Sequence, residues 1–342
     1  MIIALDATYS LGDQLSGVGI YSRALLFGLA EAQPEARFDF YYRPHRYLRA
    51  WPERVPRNAR RRLLAPPFGP GHANLFHGLN QRLPAQRLRR AVITVHDLFV
   101  LSGEYSTPEF RTRFAAQARD AAARADAIIA VSAFTKSQIT GLLGAPASKI
   151  RVVHHGIRQL PVPALPKEKI VLCVGAIQKR KNMTRLVEAF EAVDPEWRLV
   201  LAGSAGYGAA EIEARIDASP ARPRIHVTGY VTTEELARWY GRASVFAFPS
   251  LDEGFGMPVL EAMAAGIPVI TSNRSALPEV AGSAALLVDP EDTAALADAL
   301  RRMTRSSDLR NECSLRGRQR AALFTWDKAV RETWDLYMEL LR

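Results

Sequence analysis

The chain has 342 residues, 48% of them hydrophobic, with 45 Lys and Arg against 35 Asp and Glu, a net charge of +10. That is enough apolar material for one large domain or two ordinary ones, and it excludes a largely disordered chain. Two cysteines, Cys173 and Cys313, exclude a disulfide framework or a cysteine-based zinc site and suit a reducing compartment. In chain order, "MIIALDA" reads as a first strand, followed by "GVGIYSRALLFGLAEA", a glycine turn feeding an amphipathic helix. "RFDFYYR", "NLFHGL" and "AVITVHD" read as further strands. "PEFRTRFAAQARDAAARA" is a helix, "DAIIAVS" a strand, "AFTKSQITGLLG" a helix and "KIRVVHHGI" a strand. Three prolines in "RQLPVPALPKEK" mark a linker.

The alternation then restarts with "IVLCVGAI", "NMTRLVEAFEAV", "RLVLAGS", "AAEIEARIDAS" and "IHVTGYV". "TTEELARWYGRA" is a helix, in which Thr232 and Glu235 form a capping box. "SVFAFPS", "PVLEAMAAG", "IPVITSN", "AALLVDP", "TAALADALRRM" and one final long helix complete the set. Strands alternating with helices predict parallel α/β sheets. Two such units are expected: residues 1–160 and residues 161–342, with the last helix able to pack back on the first unit. Two doubly wound halves are expected to face a central cleft at the carboxyl ends of their strands, where ligands bind in such folds.

Charge is divided unevenly between the halves. Residues 1–165 hold 22 Lys and Arg against 11 Asp and Glu, and the remainder 23 against 24. Residues 43–90 alone carry twelve arginines and one acid, Glu53. This segment is either a solvated basic face or a surface for anionic lipid or another polyanion; no nucleic-acid partner is expected. The N-terminus has neither a basic region nor a long apolar run, and no stretch approaches the roughly 20 apolar residues of a spanning helix. A cytoplasmic protein is expected, at most peripheral at the inner face of the cytoplasmic membrane.

The most informative stretch is "DEGFGMPVLEAMAAGIPVI", from Asp252 to Ile270. An apolar strand leaves at Pro249-Ser250, and Pro258 suits the first position of a short helix ending at Ala265 before Gly266. Free amides from Gly254 to Val259, those of Gly254, Phe255, Gly256 and Met257 among them, form a candidate anion site with the helix N-terminus. Glu261, one turn into the helix, can accept hydrogen bonds from two ribose hydroxyls. Glu253, in the loop, is free to meet a sugar. Arg180 and Lys181 follow a glycine turn at a strand end and suit a phosphate.

These residues carry a resemblance. "EGFGMPVLE" resembles the Glu-x7-Glu motif of the retaining glycosyltransferases of family 4, which have the GT-B fold of two Rossmann-like domains. "SGVGIYSRAL", "TVHDL", "ADAIIAVSAFTKSQI", "VVHHGI" and "VGAIQKRKNMTRLVEAF" resemble other parts of that family, so the likeness spans nearly the whole chain. The resemblance implies a retaining hexosyltransferase that uses a nucleoside-diphosphate sugar and no metal or other cofactor. Glu253, His96, Arg180 and Lys181 would act on the donor sugar and its diphosphate. Glu261 would bind ribose, the 254–257 segment the sugar and distal phosphate, and the backbone of Tyr230 and Val231 the base. Gly17 and Gly19 would approach the donor phosphate or the acceptor. An arginine common in the family is replaced by Ala176, and Arg180 is expected to supply its charge.

The "RKN" segment resembles a mannosyltransferase-like branch, which implies GDP-mannose, with a UDP-sugar as the alternative donor. The acceptor implied is a glycan or lipid-linked saccharide, as in polysaccharide biosynthesis. Rival readings are a sugar-nucleotide epimerase of the same fold and a sugar-nucleotide-binding protein without catalysis. The epimerase would need acid and base groups around C2 of the sugar, and no such set is evident.

Overall fold

A computed structural model describes residues 1–12 and 14–342 and divides the chain into two units. The first comprises Met1–Gly156 with Phe324–Arg342, and the second Ile157–Leu323. The boundary therefore lies at Gly156, where 160 was expected, and the chain's last segment belongs to the first unit.

The first unit is a seven-stranded parallel sheet: β1 (Ile2–Asp6), β2 (Arg37–Tyr42), β3 (Ala59–Leu63), β4 (Leu75–Gly78), β5 (Ala91–Val95), β6 (Ala127–Ala130) and β7 (Ile150–Val152). Their order across the sheet is β3-β2-β1-β4-β5-β6-β7. The helices are α1 (Gly17–Ala32), the short α2 (Pro44–Tyr47) and α3 (Phe99–Ser102), α4 (Pro108–Arg124) and α5 (Ala133–Leu143). Near-continuous apolar strands such as "AVITV" are buried on both faces, as helices on both sides of a parallel sheet require.

Strand β3 lies in "RNARRRLL", where sequence analysis found only a basic segment. Three consecutive arginines, Arg60, Arg61 and Arg62, hide a strand with few apolar residues, and β3 is an edge, where charge discourages further pairing. Several arginines of the basic segment 43–90 are also tied down. Arg61 Nε donates to the Ala50 carbonyl at 2.8 Å, Arg62 pairs with Asp39 at 3.4 Å, and Arg90 Nε donates to the Leu340 carbonyl at 3.1 Å.

The second unit is a six-stranded parallel sheet: β8 (Glu168–Val174), β9 (Arg198–Ala202), β10 (Ile225–Gly229), β11 (Ala243–Phe248), β12 (Val269–Ser272) and β13 (Ala285–Val288), in the order β10-β9-β8-β11-β12-β13. Its helices are α6 (Met183–Phe190), α7 (Ala209–Asp217), α8 (Thr233–Arg242), α9 (Met257–Ala264), α10 (Leu277–Ala281), α11 (Thr293–Arg305) and α12 (Ser307–Ala321). The capping box predicted at Thr232 and Glu235 opens α8. Strand order reverses between β8 and β11, so their carboxyl ends form a topological switch point.

The expected single final helix is two. Thr325 accepts a hydrogen bond from the Lys328 amide and caps a new helix, α13 (Trp326–Leu341). This helix buries Val330, Leu336 and Tyr337 with Leu25, Leu26 and Leu29 of α1 in the first unit. Beneath it runs a buried polar chain. Tyr337 Oη meets His77 Nδ1 at 2.5 Å, His77 Nε2 meets Thr94 Oγ1 at 2.8 Å, and Tyr21 Oη meets Thr94 Oγ1 at 2.7 Å. Burial pushes the His77 imidazole down to about 3, so the chain is uncharged at neutral pH.

Candidate functional site

In the second unit, β8 and β11 run side by side and end together, and their following loops are sewn to each other. The Leu251 amide donates to the Arg180 carbonyl at 2.8 Å, and Ser250 Oγ lies 3.1 Å from the same carbonyl. Asn182 closes the turn in a left-handed conformation, φ 58°, which asparagine tolerates better than most residues. Its side-chain amide donates to the carbonyls of Pro249 at 3.1 Å and Pro290 at 2.6 Å. The tripeptide Arg180-Lys181-Asn182 is thereby fixed on the loop that carries Glu253.

Glu253 is 8% exposed and collects donors on one oxygen. Lys181 Nζ lies 2.5 Å, Ser250 Oγ 2.6 Å and Arg180 Nη1 2.9 Å from Glu253 Oε1. Arg180 also donates to the Asp252 carbonyl, and Lys181 Nζ stands 4.6 Å from the centroid of the Phe248 ring. Burial alone would raise the Glu253 carboxyl, but the charges of Arg180 and Lys181 and the hydrogen bonds outweigh it and hold it at about 2. Burial lowers the Lys181 ammonium, and the Glu253 charge opposes that shift. Arg180 and Lys181 share one carboxylate oxygen. Glu253 was expected to be free for a sugar, with the cations directed at phosphate; in this structure the three groups pair with one another.

Glu261 is equally buried, at 7% exposure, but has a different neighbourhood. Tyr240 Oη, from α8, donates to its Oε2 at 3.0 Å. Burial pushes the Glu261 carboxyl up to about 7, against the opposing charge of Arg158 and the hydrogen bond from Tyr240. With Arg158, Lys167 and Arg318 it lines a cavity of about 430 Å³ beside α8 and α9. Tyr240, Arg158, Ser250 and the clamp by Asn182 were not anticipated as parts of the site. The first two come from elements remote in sequence and carry no local signal.

Helix α9 begins at Met257 and places Pro258 in its first turn, one residue earlier than expected. Gly256 has φ 107°, and a Cβ there would stand 2.7 Å from Leu277 Cδ2, so only glycine fits. Gly254 and Phe255 are buried, Phe255 at 4% exposure, and Met257 is half-buried. The Val259 amide is spent on the Gly256 carbonyl at 3.0 Å and is not free for an anion. Gly266, φ 68°, ends the helix as expected. Tyr230, 53% exposed, and the half-buried Val231 follow the carboxyl end of β10.

In the first unit, His96 follows β5 and is buried, with Nε2 donating to the Leu79 carbonyl at 2.9 Å. Its ring meets Tyr21 edge-on at 4.7 Å and lies 5.3 Å from that of His155. Burial lowers it to about 4, so it is a neutral hydrogen-bonding group at pH 7. Gly17 is exposed at the start of α1. The Gly19 amide is committed to Ser16 Oγ, and a Cβ on Gly19 would approach the Tyr9 carbonyl oxygen to 2.8 Å. Its lack of a side chain serves packing, and the expected backbone contact of Gly19 with a ligand is not supported.

Among the described residues, no group of three or more His, Cys, Asp or Glu side chains is placed to hold a metal ion. No helix among them is long and apolar enough to cross a membrane.

The family model described as "Glycosyl transferases group 1" matches residues 159–320, and that described as "Glycosyltransferase Family 4" matches residues 9–158. The chain is 29% identical over 281 residues to O-antigen chain mannosyltransferase B of Escherichia coli, covering 77% of this chain and 74% of the relative. It is 30% identical over 310 residues to D-inositol 3-phosphate glycosyltransferase of a Nocardioides species, covering 78% of this chain and 67% of the relative. Among solved structures, sucrose-phosphate synthase from Thermosynechococcus elongatus superposes with a TM-score of 0.77 at 25% identity, covering 99% of this chain and 98% of the other.

Proposed function

Because this chain belongs to glycosyltransferase family 4 and is a hexosyltransferase of GT-B fold, we propose that it transfers mannose, with retention, from GDP-mannose to a hydroxyl of a glycan or lipid-linked saccharide. The observation that carries the site assignment is the buried Arg180–Glu253–Lys181 cluster, fixed beside the start of α9. Its two buried cations suit a diphosphate. Breaking the bond between sugar C1 and the diphosphate builds charge on the distal phosphate, and two preorganised cations stabilise that charge as it grows. No metal is required in this scheme. Glu253, ionised and held by three donors, accepts hydroxyl hydrogen bonds from the donor sugar. Glu261 accepts those of the ribose, and the departing phosphate takes the proton of the acceptor hydroxyl. His96, neutral, contributes a hydrogen bond and not a proton.

The choice of mannose rests on the similarity to a mannosyltransferase and on the Arg180-Lys181-Asn182 segment. The test is incubation with a panel of sugar nucleotides and mass analysis of the products. Free GDP from GDP-mannose, and none from UDP-sugars, is expected; UDP release would replace the donor. An isomeric sugar nucleotide would mean epimerisation, and no product at all would leave a binding protein.

A lipid-linked acceptor would bring the first unit to an anionic membrane. Leu48 and Trp51 are exposed at 77% and 62% within the arginine-rich segment, and Arg54, Arg57 and Arg60 lie exposed nearby in sequence. Each basic residue at such a surface contributes about 1 kcal/mol. Salt-sensitive co-sedimentation with anionic but not neutral liposomes is expected; equal binding to both, or none at low salt, would point to a soluble acceptor.

A further inference from the structure

The first unit contains a cavity of about 620 Å³ at the outer edge of its sheet, apart from the glycine turn and His96. Its wall includes Arg61, Arg62, Tyr41, Tyr47, Phe68 and His72. Consecutive strand residues point to opposite faces, so for Arg61 and Arg62 both to line it, the cavity must reach around edge strand β3. Phe68 is 63% exposed, so its ring is available to a ligand in the cavity.

Two features define what the cavity can hold. The first is charge. The one carboxylate beside it, Asp39, is buried and already engaged: its Oδ2 lies 2.7 Å from His72 Nε2 and 3.4 Å from Arg62 Nε. Arg61 uses Nε on the Ala50 carbonyl, and among the described residues no carboxylate lies within ion-pair distance of it. Arg62 is therefore the cation this face offers, with Arg61 on the other side of the strand. The second is shape. Tyr47 and Phe68 supply aromatic surface for the apolar face of a sugar ring, and arginine's planar fork suits a phosphate or carboxylate. A volume of this order holds a small ligand rather than a bare ion.

We propose that this cavity is a binding site for an anionic saccharide, a sugar bearing a phosphate or carboxylate group, distinct from the nucleotide site of the second unit. The inference rests on the glycosyltransferase assignment only for its choice of a saccharide. The sugar's anionic group sits on Arg62, and its ring packs on Phe68 and Tyr47.

The test uses the full chain, first saturated with GDP so that the second unit's site is occupied. Mannose 6-phosphate, mannose and inorganic phosphate are then titrated by calorimetry, alongside soluble dihexanoyl-phosphatidylglycerol as a lipid-headgroup probe. Mannose 6-phosphate is expected to bind at least about tenfold more tightly than mannose or inorganic phosphate, since neither carries both features. Arg62→Ala and the exposed Phe68→Ala should each weaken it by about tenfold, with GDP affinity unchanged. Phe68→Ala keeps the test valid if loss of Arg62 from Asp39 unsettles the fold. Inorganic phosphate binding as tightly, indifference to both substitutions, no binding, or preference for the phospholipid would each overturn the proposal. Failure of GDP to bind the unsubstituted chain would instead count against the donor assignment in the second unit.

Discussion

Glu253 and Glu261 are the same residue type, eight positions apart and buried to the same degree, yet their carboxyl groups are driven in opposite directions, to about 2 and about 7. Burial raises both. The difference lies in what answers it. Glu253 sits on a loop clamped to a second loop that brings a guanidinium, an ammonium and a hydroxyl to one oxygen. Glu261 sits on a helix face, where the neighbouring helix offers a phenol and a guanidinium acts without an ion pair. One carboxylate is a permanent charge that sets the position of two cations. The other gains or loses a proton near neutrality, so its charge depends on what is bound beside it.

The largest break in this comparison is expected from Glu253→Ala. It leaves Arg180 and Lys181 buried without their counter-ion, which should cost about 3–5 kcal/mol of stability. Urea unfolding would measure it. Glu261→Ala removes a carboxyl that is already partly protonated at pH 7 and should cost less. Equal losses would mean that the ion cluster is not what separates the two acids. The sign with pH follows: the Glu253 carboxyl is depressed from 4.5, so its stabilisation is present above about pH 4.5 and lost as pH falls through about 2.

Next in size is the effect of the cations on turnover. Lys181→Ala should lower kcat about 100-fold with a smaller change in KM, because it removes stabilisation that grows with charge on the leaving phosphate. Arg180→Ala should act to a similar degree, since Arg180 and Lys181 share the same carboxylate oxygen. A silent Arg180→Ala would make that residue a structural partner of the Asp252 carbonyl and of Glu253, with Lys181 alone serving the phosphate.

Much of this was legible in the sequence because it is local. Alternating apolar runs and helical patterns marked the two parallel sheets, and Gly-x-Gly with a proline between two glutamates marked a turn opening into a helix. What escaped was non-local or disguised. β3 is a strand written in arginine, and its hydrogen bonds to β2 show only when the sheet is assembled. The break before Trp326 depends on one capping threonine within a long helical pattern. Pairing of Glu253 with Arg180 and Lys181 spans 72 positions or nearly so, and Tyr240 reaches Glu261 across 21. Neither distance matches a helix or strand period, so spacing alone could suggest charges near a phosphate but not that the acid and the cations neutralise one another first.

The finest test of the comparison is the proton on Glu261. Its folded value of about 7 lies above the ordinary 4.5. The stability it contributes is therefore fully present below about pH 4.5 and is lost as pH rises through about 7. Glu261→Gln, which cannot ionise but can still accept from Tyr240, should match the parent near pH 4.5 and exceed it at pH 8 by about 2 kcal/mol. Thermal unfolding across that range would read it. Ligand binding should run the other way. An ionised Glu261 accepts two ribose hydroxyls where the protonated form accepts fewer, so GDP affinity should rise from pH 6 to pH 8 by up to about tenfold. The diphosphate's own ionisation does contribute, and the 2′-deoxy nucleotide isolates it. If the deoxy compound gains as much as GDP over the same interval, the titrating acid is not meeting the ribose, and Glu261 is a helix-packing residue held by Tyr240.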